Sequence, residues 1–117
     1  MNHSIRNLCA ALISVSAIAA VPASAATIYD NQKITQIAVG GAYNGDVVLR
    51  LSGHGDMTRP GCATDGTWSL TFDGTTDAGK QAYSMALLAQ SSGANIAVSA
   101  EAFCIGNIQQ LRWIRLK

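Results

Sequence analysis

A mainly β domain with one helix, its elements in the order β-β-β-α-β-β, is the fold class that the sequence predicts. Three observations carry it. Five short runs alternate apolar with polar residues or are rich in β-branched ones; one amphipathic stretch lies between a capping Thr76 or Asp77 and a stopping Gly93; and two cysteines, Cys62 and Cys104, bracket the strand, helix and strand at the centre.

Ahead of this domain the chain has a different character. Arg6 is followed by an apolar run at 8–21 and then by Ala23, Ser24 and Ala25. A basic residue, a short apolar run and an Ala-x-Ala end are the marks of a secretory signal peptide. The run is shorter than the roughly 20 residues that span a bilayer. The sequence thus predicts a signal peptide at 1–25, cleavage near Ala25, and a single domain at 26–117 that is secreted or periplasmic, with no membrane span. Cys9 lacks the small residues before it that a lipid-attached cysteine needs, so a lipoprotein is not expected.

A domain of this size buries only about 60 to 65% of its unfolded surface and gains from a covalent staple. The two cysteines left after cleavage, in an oxidising compartment, are most simply a disulfide. Without Arg6, the remaining Lys and Arg balance the 7 Asp and Glu. A formally neutral domain lacks the surplus cations with which proteins hold phosphates, and nucleic acid is not expected as a partner.

The elements follow in order. Residues 26–32 are polar and read as irregular. Residues 33–39 hold Ile34, Thr35, Ile37 and Val39 and suit a strand. A Gly/Asn turn leads to 46–51, where Val47, Leu49 and Leu51 alternate with Val48 and Arg50. Residues 52–66 show no period and read as a long loop. Trp68, Leu70 and Phe72 make a third strand. On a helical wheel Ala78, Ala82, Met85, Ala86, Leu88 and Ala89 form one stripe, with Tyr83 and Leu87 away from it. That second apolar strip either wraps round the same core or meets another subunit. A fourth strand is expected at 95–103 and a fifth at 108–116. Ile114 and Leu116 fall on the opposite face of the fifth from Trp113, which a bulge or a subunit contact would explain.

This order in so short a chain fits a five-stranded Greek-key barrel of the oligonucleotide/oligosaccharide-binding (OB) type, with the helix between strands three and four. In that barrel strands three and five run parallel, which brings the loop holding Cys62 near the turn holding Cys104.

The secreted size, the five strands, the passage GKQAYSMALLAQSSGANIAV and the Cys62/Cys104 pair resemble the B subunits of the subtilase cytotoxin and pertussis-like AB5 toxins and similar bacterial secreted proteins. The resemblance covers nearly all of 26–117. It implies an OB-type fold, a homopentamer with its helices around a pore, a toxin A subunit as partner, and binding of sialylated cell-surface glycans. The glycan site it implies lies at the start of the first strand: Tyr29, Asp30, Asn31 and Lys33. Tyr29 would supply a ring and hydroxyl, Asn31 hydrogen bonds, and Lys33 a charge. Asp30 stands where the family has Ser, and its carboxylate disfavours an anionic sugar. Tyr83 and Leu87, off the main stripe of the helix, are the expected subunit contact.

No catalytic residues are assigned, no enzyme activity is expected, and neither a metal nor a cofactor is. His54, beside Asp56, is the one histidine of 26–117, and a metal site needs three or four convergent ligands. Trp68 and Trp113 share the phase of inward residues and read as core; Tyr29 and Tyr43 are the better exposed aromatics. The other function class that the residues leave open is a structural or interaction protein of the same fold without sugar binding.

Overall fold

The computed structural model describes residues 26–117. The expected signal peptide, with Arg6 and Cys9, lies outside them. The described chain is mainly β with one helix: β1 (Thr27–Gln32), β2 (Ile34–Val39), β3 (Asp46–Leu51), β4 (Leu70–Asp73), α1 (Asp77–Ser92), β5 (Ile96–Ile105) and β6 (Ile108–Leu116). The strands form one six-stranded sheet, ordered β1-β5-β6-β4-β3-β2, that is not closed. All pairings are antiparallel except β4 with β6, which meet in parallel at Thr71 and Gln110.

The five expected strands are present, and the sixth corrects the reading of 26–32 as irregular. β1 pairs with β5 through Thr27, Ile28 and Tyr29, and its register shifts before Gln32. Asn31 sits there at φ 51°, in the left-handed region that Asn tolerates better than most residues. Its kink separates β1 from β2, with Lys33 between.

β6 shows why both of its faces are apolar. Ser99 of β5 faces Trp113 while Ala100 faces Leu111, so Arg112 is one residue too many on β6. Such a bulge reverses the alternation beyond it. Leu111, Ile114 and Leu116 therefore all reach the core, and Trp113 turns away from it. Trp113 is thus outside the core, contrary to its phase with Leu111. Trp68 is outside too: it precedes β4, partly buried, with its ring edge-on to Tyr43 at 6.1 Å between centroids.

The core joins Val47, Leu49 and Leu51 of β3, Leu70 and Phe72 of β4, and Ile96, Val98 and Ala100 of β5 with Ala86 and Ala89 of α1. The Thr76 hydroxyl caps α1 by accepting from the Gly79 amide at 2.9 Å, and Gly93, at φ 67°, ends it. The buried face of the helix is rotated from the expected stripe. Gly79, Ala86 and Ala89 are buried and Tyr83 packs on the core, whereas Leu88 is 55% exposed. Gly79 decides this seating, since a Cβ there would overlap the carbonyl of Asp73. Only a glycine allows α1 so close to the end of β4.

Cys62, in the loop at 52–69, is bonded to Cys104 near the end of β5, with Cα atoms 6.1 Å apart. Among the described residues no helix is long and apolar enough to cross a membrane.

Candidate functional site

A cleft of about 350 Å³ opens where two turns meet over the outer face of β3 and β4. One wall is the β2–β3 turn with Tyr43 and Asn44, the other the β5–β6 turn with Gly106 and Asn107; Asp46 stands at the rim, and Val48, Thr71 and Ile108 form the floor. Local backbone chemistry places the walls. Asn44 at φ 53° and Gly45 at φ 83° reverse the chain after a short 3₁₀ turn at Gly41–Tyr43. Gly106, at φ 61°, allows β5 to return into β6 through two residues. Thr71 donates its hydroxyl hydrogen to the Val47 carbonyl at 3.0 Å, so the floor is already satisfied.

The loop at 52–69 braces both walls from behind. The Asp65 amide donates to the Asn107 carbonyl at 3.2 Å, and the Asp65 carboxylate accepts from the amides of Thr67 and Trp68 at 2.8 and 2.7 Å. Trp68 then carries the ring of Tyr43. The cleft thus offers a phenol, two amides and one carboxylate, and none of its lining residues is a cation. Such groups exchange hydrogen bonds with hydroxyls and leave an aromatic face for stacking. They do not draw phosphate or carboxylate.

The residues expected at a glycan site lie elsewhere, and each is engaged within the chain. Tyr29 packs on the core; its hydroxyl donates to the Thr58 carbonyl at 2.7 Å and lies 3.2 Å from Gln109 Oε1, and burial raises its pKa. Asp30 is paired with Lys117 at 2.8 Å, which, with the Asn31 amide, holds its carboxyl below the usual range. Asn31 Oδ1 accepts from the same Lys117 ammonium at 3.1 Å. Lys33 reaches the other way and donates to the carbonyl of Gly93 at 2.9 Å. Asp30 and Asn31 are together; Tyr29 and Lys33 are not with them. The charge that Asp30 would set against an anionic sugar is already met by Lys117.

Of the two residues expected at a subunit contact, Tyr83 packs on the core and Leu87 is 42% exposed. A separate apolar groove of about 420 Å³ runs between α1 and β6, with Ala78, Gly79, Ala82 and Leu111 along it and Trp113 at its side.

His54 is 6% exposed, its ring nitrogens 2.9 Å from Ser69 Oγ and 3.0 Å from the Gly66 carbonyl. Neither nitrogen is free for a substrate.

Sequence reasoning singled out Tyr43 as a loop aromatic but missed Asn44, Asp46 and Asn107. The Asn-Gly pair at 44–45 and the Gly-Asn pair at 106–107 are turn signals in the sequence, yet nothing local says that the two turns meet. Compared with known proteins, the chain matches no family model, no curated protein and no solved structure.

Proposed function

We propose that this chain is an extracytoplasmic binding module of the OB type, similar to AB5-toxin B subunits, that takes a neutral oligosaccharide in the cleft beside Tyr43 and Asn107. What supports the barrel reading is that β1 and β2, at the two ends of the strand order, are consecutive with only Lys33 between them. Counted as one bent strand, they leave five. OB barrels bind oligosaccharides and oligonucleotides on the face of their second and third strands, between the loops joining strands one to two and four to five. In that count these are β3, β4 and the turns that wall the cleft. This coincidence of position with hydroxyl-binding chemistry is the observation that carries the proposal. The neutral balance of charge and the absence of a lining cation weigh against the oligonucleotide alternative. The disulfide supports a secreted or periplasmic location.

A glycan array probed with the mature, oxidised protein tests the site. Asn107→Ala removes an exposed amide whose backbone, not its side chain, braces the turn, so it should weaken binding by about tenfold while the fold is kept. Wild-type protein that retains no glycan would sink the reading.

A second reading, an interaction protein without sugar binding, is favoured by the apolar groove at Trp113 and by exposed Leu87, Leu88 and Phe103. Assembly belongs to both readings. The resemblance implies a homopentamer that receives a toxin A subunit, and light scattering at micromolar concentration should then show five copies. A monomer across a dilution series would remove the pentamer and leave the cleft untouched.

A further inference from the structure

His54 is buried in a loop, bonded at both ring nitrogens, and unused by the proposed binding chemistry. Its tautomer follows from its partners. A carbonyl only accepts, so the nitrogen facing Gly66, Nε2, carries hydrogen. Ser69 Oγ already accepts from the Leu51 amide at 3.0 Å, and its own hydrogen is the one available to Nδ1. The neutral ring is therefore filled on both sides. A second proton, on Nδ1, would face the Ser69 hydroxyl and leave that buried group without its acceptor.

The surrounding charges oppose that proton as well. Arg50 of β3 donates to the Thr67 carbonyl at 2.8 Å and lies 3.4 Å from the Gly66 carbonyl that His54 holds. Arg59 comes from the loop and donates to the Asp65 carbonyl at 2.7 Å. On the other side stand Asp65, whose carboxylate is held by two amides, and Asp56 in the same short turn as His54.

What His54 grips is the segment at 65–69, and that segment braces the cleft. It meets the β5–β6 turn through Asp65 and Asn107, and the β2–β3 turn through Trp68 and Tyr43. We propose that His54 is a positioning residue for the cleft: its neutral ring pins 65–69 behind Tyr43 and Asn107, and its protonation releases them, so the cleft keeps its shape at neutral pH and loses it in acid. The inference rests on the cleft being the binding site only for its consequence in affinity, not for the release itself. Burial first, then Arg59 and Arg50, hold the imidazole below its ordinary 6.5. A base whose folded pKa is depressed stabilises the fold fully above its unfolded value. That stabilisation is lost as pH falls below about 6.5 towards the folded value.

The test is an amide and imidazole NMR titration of the oxidised protein from about pH 7.5 to about pH 5, across the histidine range. The amides at 65–69, with those of Tyr43 and Asn107, should shift together with the His54 ring, while Val98 in the core stays still. In His54→Gln, which does not titrate, the same amides should be independent of pH. Imidazole titration without movement at Tyr43 and Asn107, or the same movement in His54→Gln, would overturn the inference. Should the variant not fold, the wild-type titration decides alone. The glycan array run at both pH values separates this proposal from the reading it rests on. Weaker binding at about pH 5 than at about pH 7.5 is expected; equal binding at both, with the amide shifts present, removes the cleft as the glycan site and leaves the release standing. Coupled amide shifts with no glycan bound at either pH leave the release standing and remove the sugar.

Discussion

A methyl group at position 79 has nowhere to go, because it would overlap the Asp73 carbonyl. Gly79→Ala should therefore lower stability by about 1 to 3 kcal/mol, the usual cost of forcing volume into a packed site, even though Ala is the better helix former. Urea unfolding would measure it as a lower midpoint at unchanged slope. An unchanged or higher midpoint would mean that α1 is not seated on β4 as described. The four residues expected at a glycan site already have partners within the chain. Tyr29, Asp30, Asn31 and Lys33 have the chemistry of a sugar site, but each has a partner far along the chain: Thr58, Lys117, Lys117 and Gly93. Residue type reveals what a side chain can bind, and its neighbours in space decide whether it is free to do so.

At the scale of elements, α1 was the most legible because its signals are local. Thr76 accepts from Gly79 and Gly93 takes the left-handed conformation, so both ends are written within a few residues of where they act. The face it buries was less legible. Hydrophobicity favours Leu88, yet the helix turns Gly79, Ala86, Ala89 and Tyr83 inward, its seating set by the close approach of Gly79 to the Asp73 carbonyl. In β6 the apolar residues on both faces were visible, and the bulge at Arg112 resolves them by bringing Leu111, Ile114 and Leu116 to one side. β1 escaped notice because Asp30, Asn31 and Gln32 carry no strand pattern; its pairing is supplied by β5, distant in the chain.

A disulfide ties the longest loop among the described residues, at 52–69, to the end of β5. Cys62 and Cys104 are 42 residues apart in the chain, and the loop they pin also braces the cleft. Replacing both by Ser should cost about 2 to 5 kcal/mol, the loss typical of a small secreted domain. Thermal unfolding of the oxidised protein and the double variant would measure it, with intact mass showing the two hydrogens gained on reduction. If the two melt alike, the bridge adds nothing to the fold.

The order of elements from β2 onward, the caps of α1 and the long loop were determined by the sequence itself, since each rests on residue type and short-range spacing, and the pairing of Cys62 with Cys104 followed from there being two cysteines in 26–117. The cleft was decided only by the tertiary structure. Tyr43 and Asn107 belong to turns more than sixty positions apart, and what brings them together is the pairing of β3 with β4 and of β4 with β6. A binding surface assembled across strands depends on which strands are neighbours. That is a property of the packed sheet and of no single segment in it.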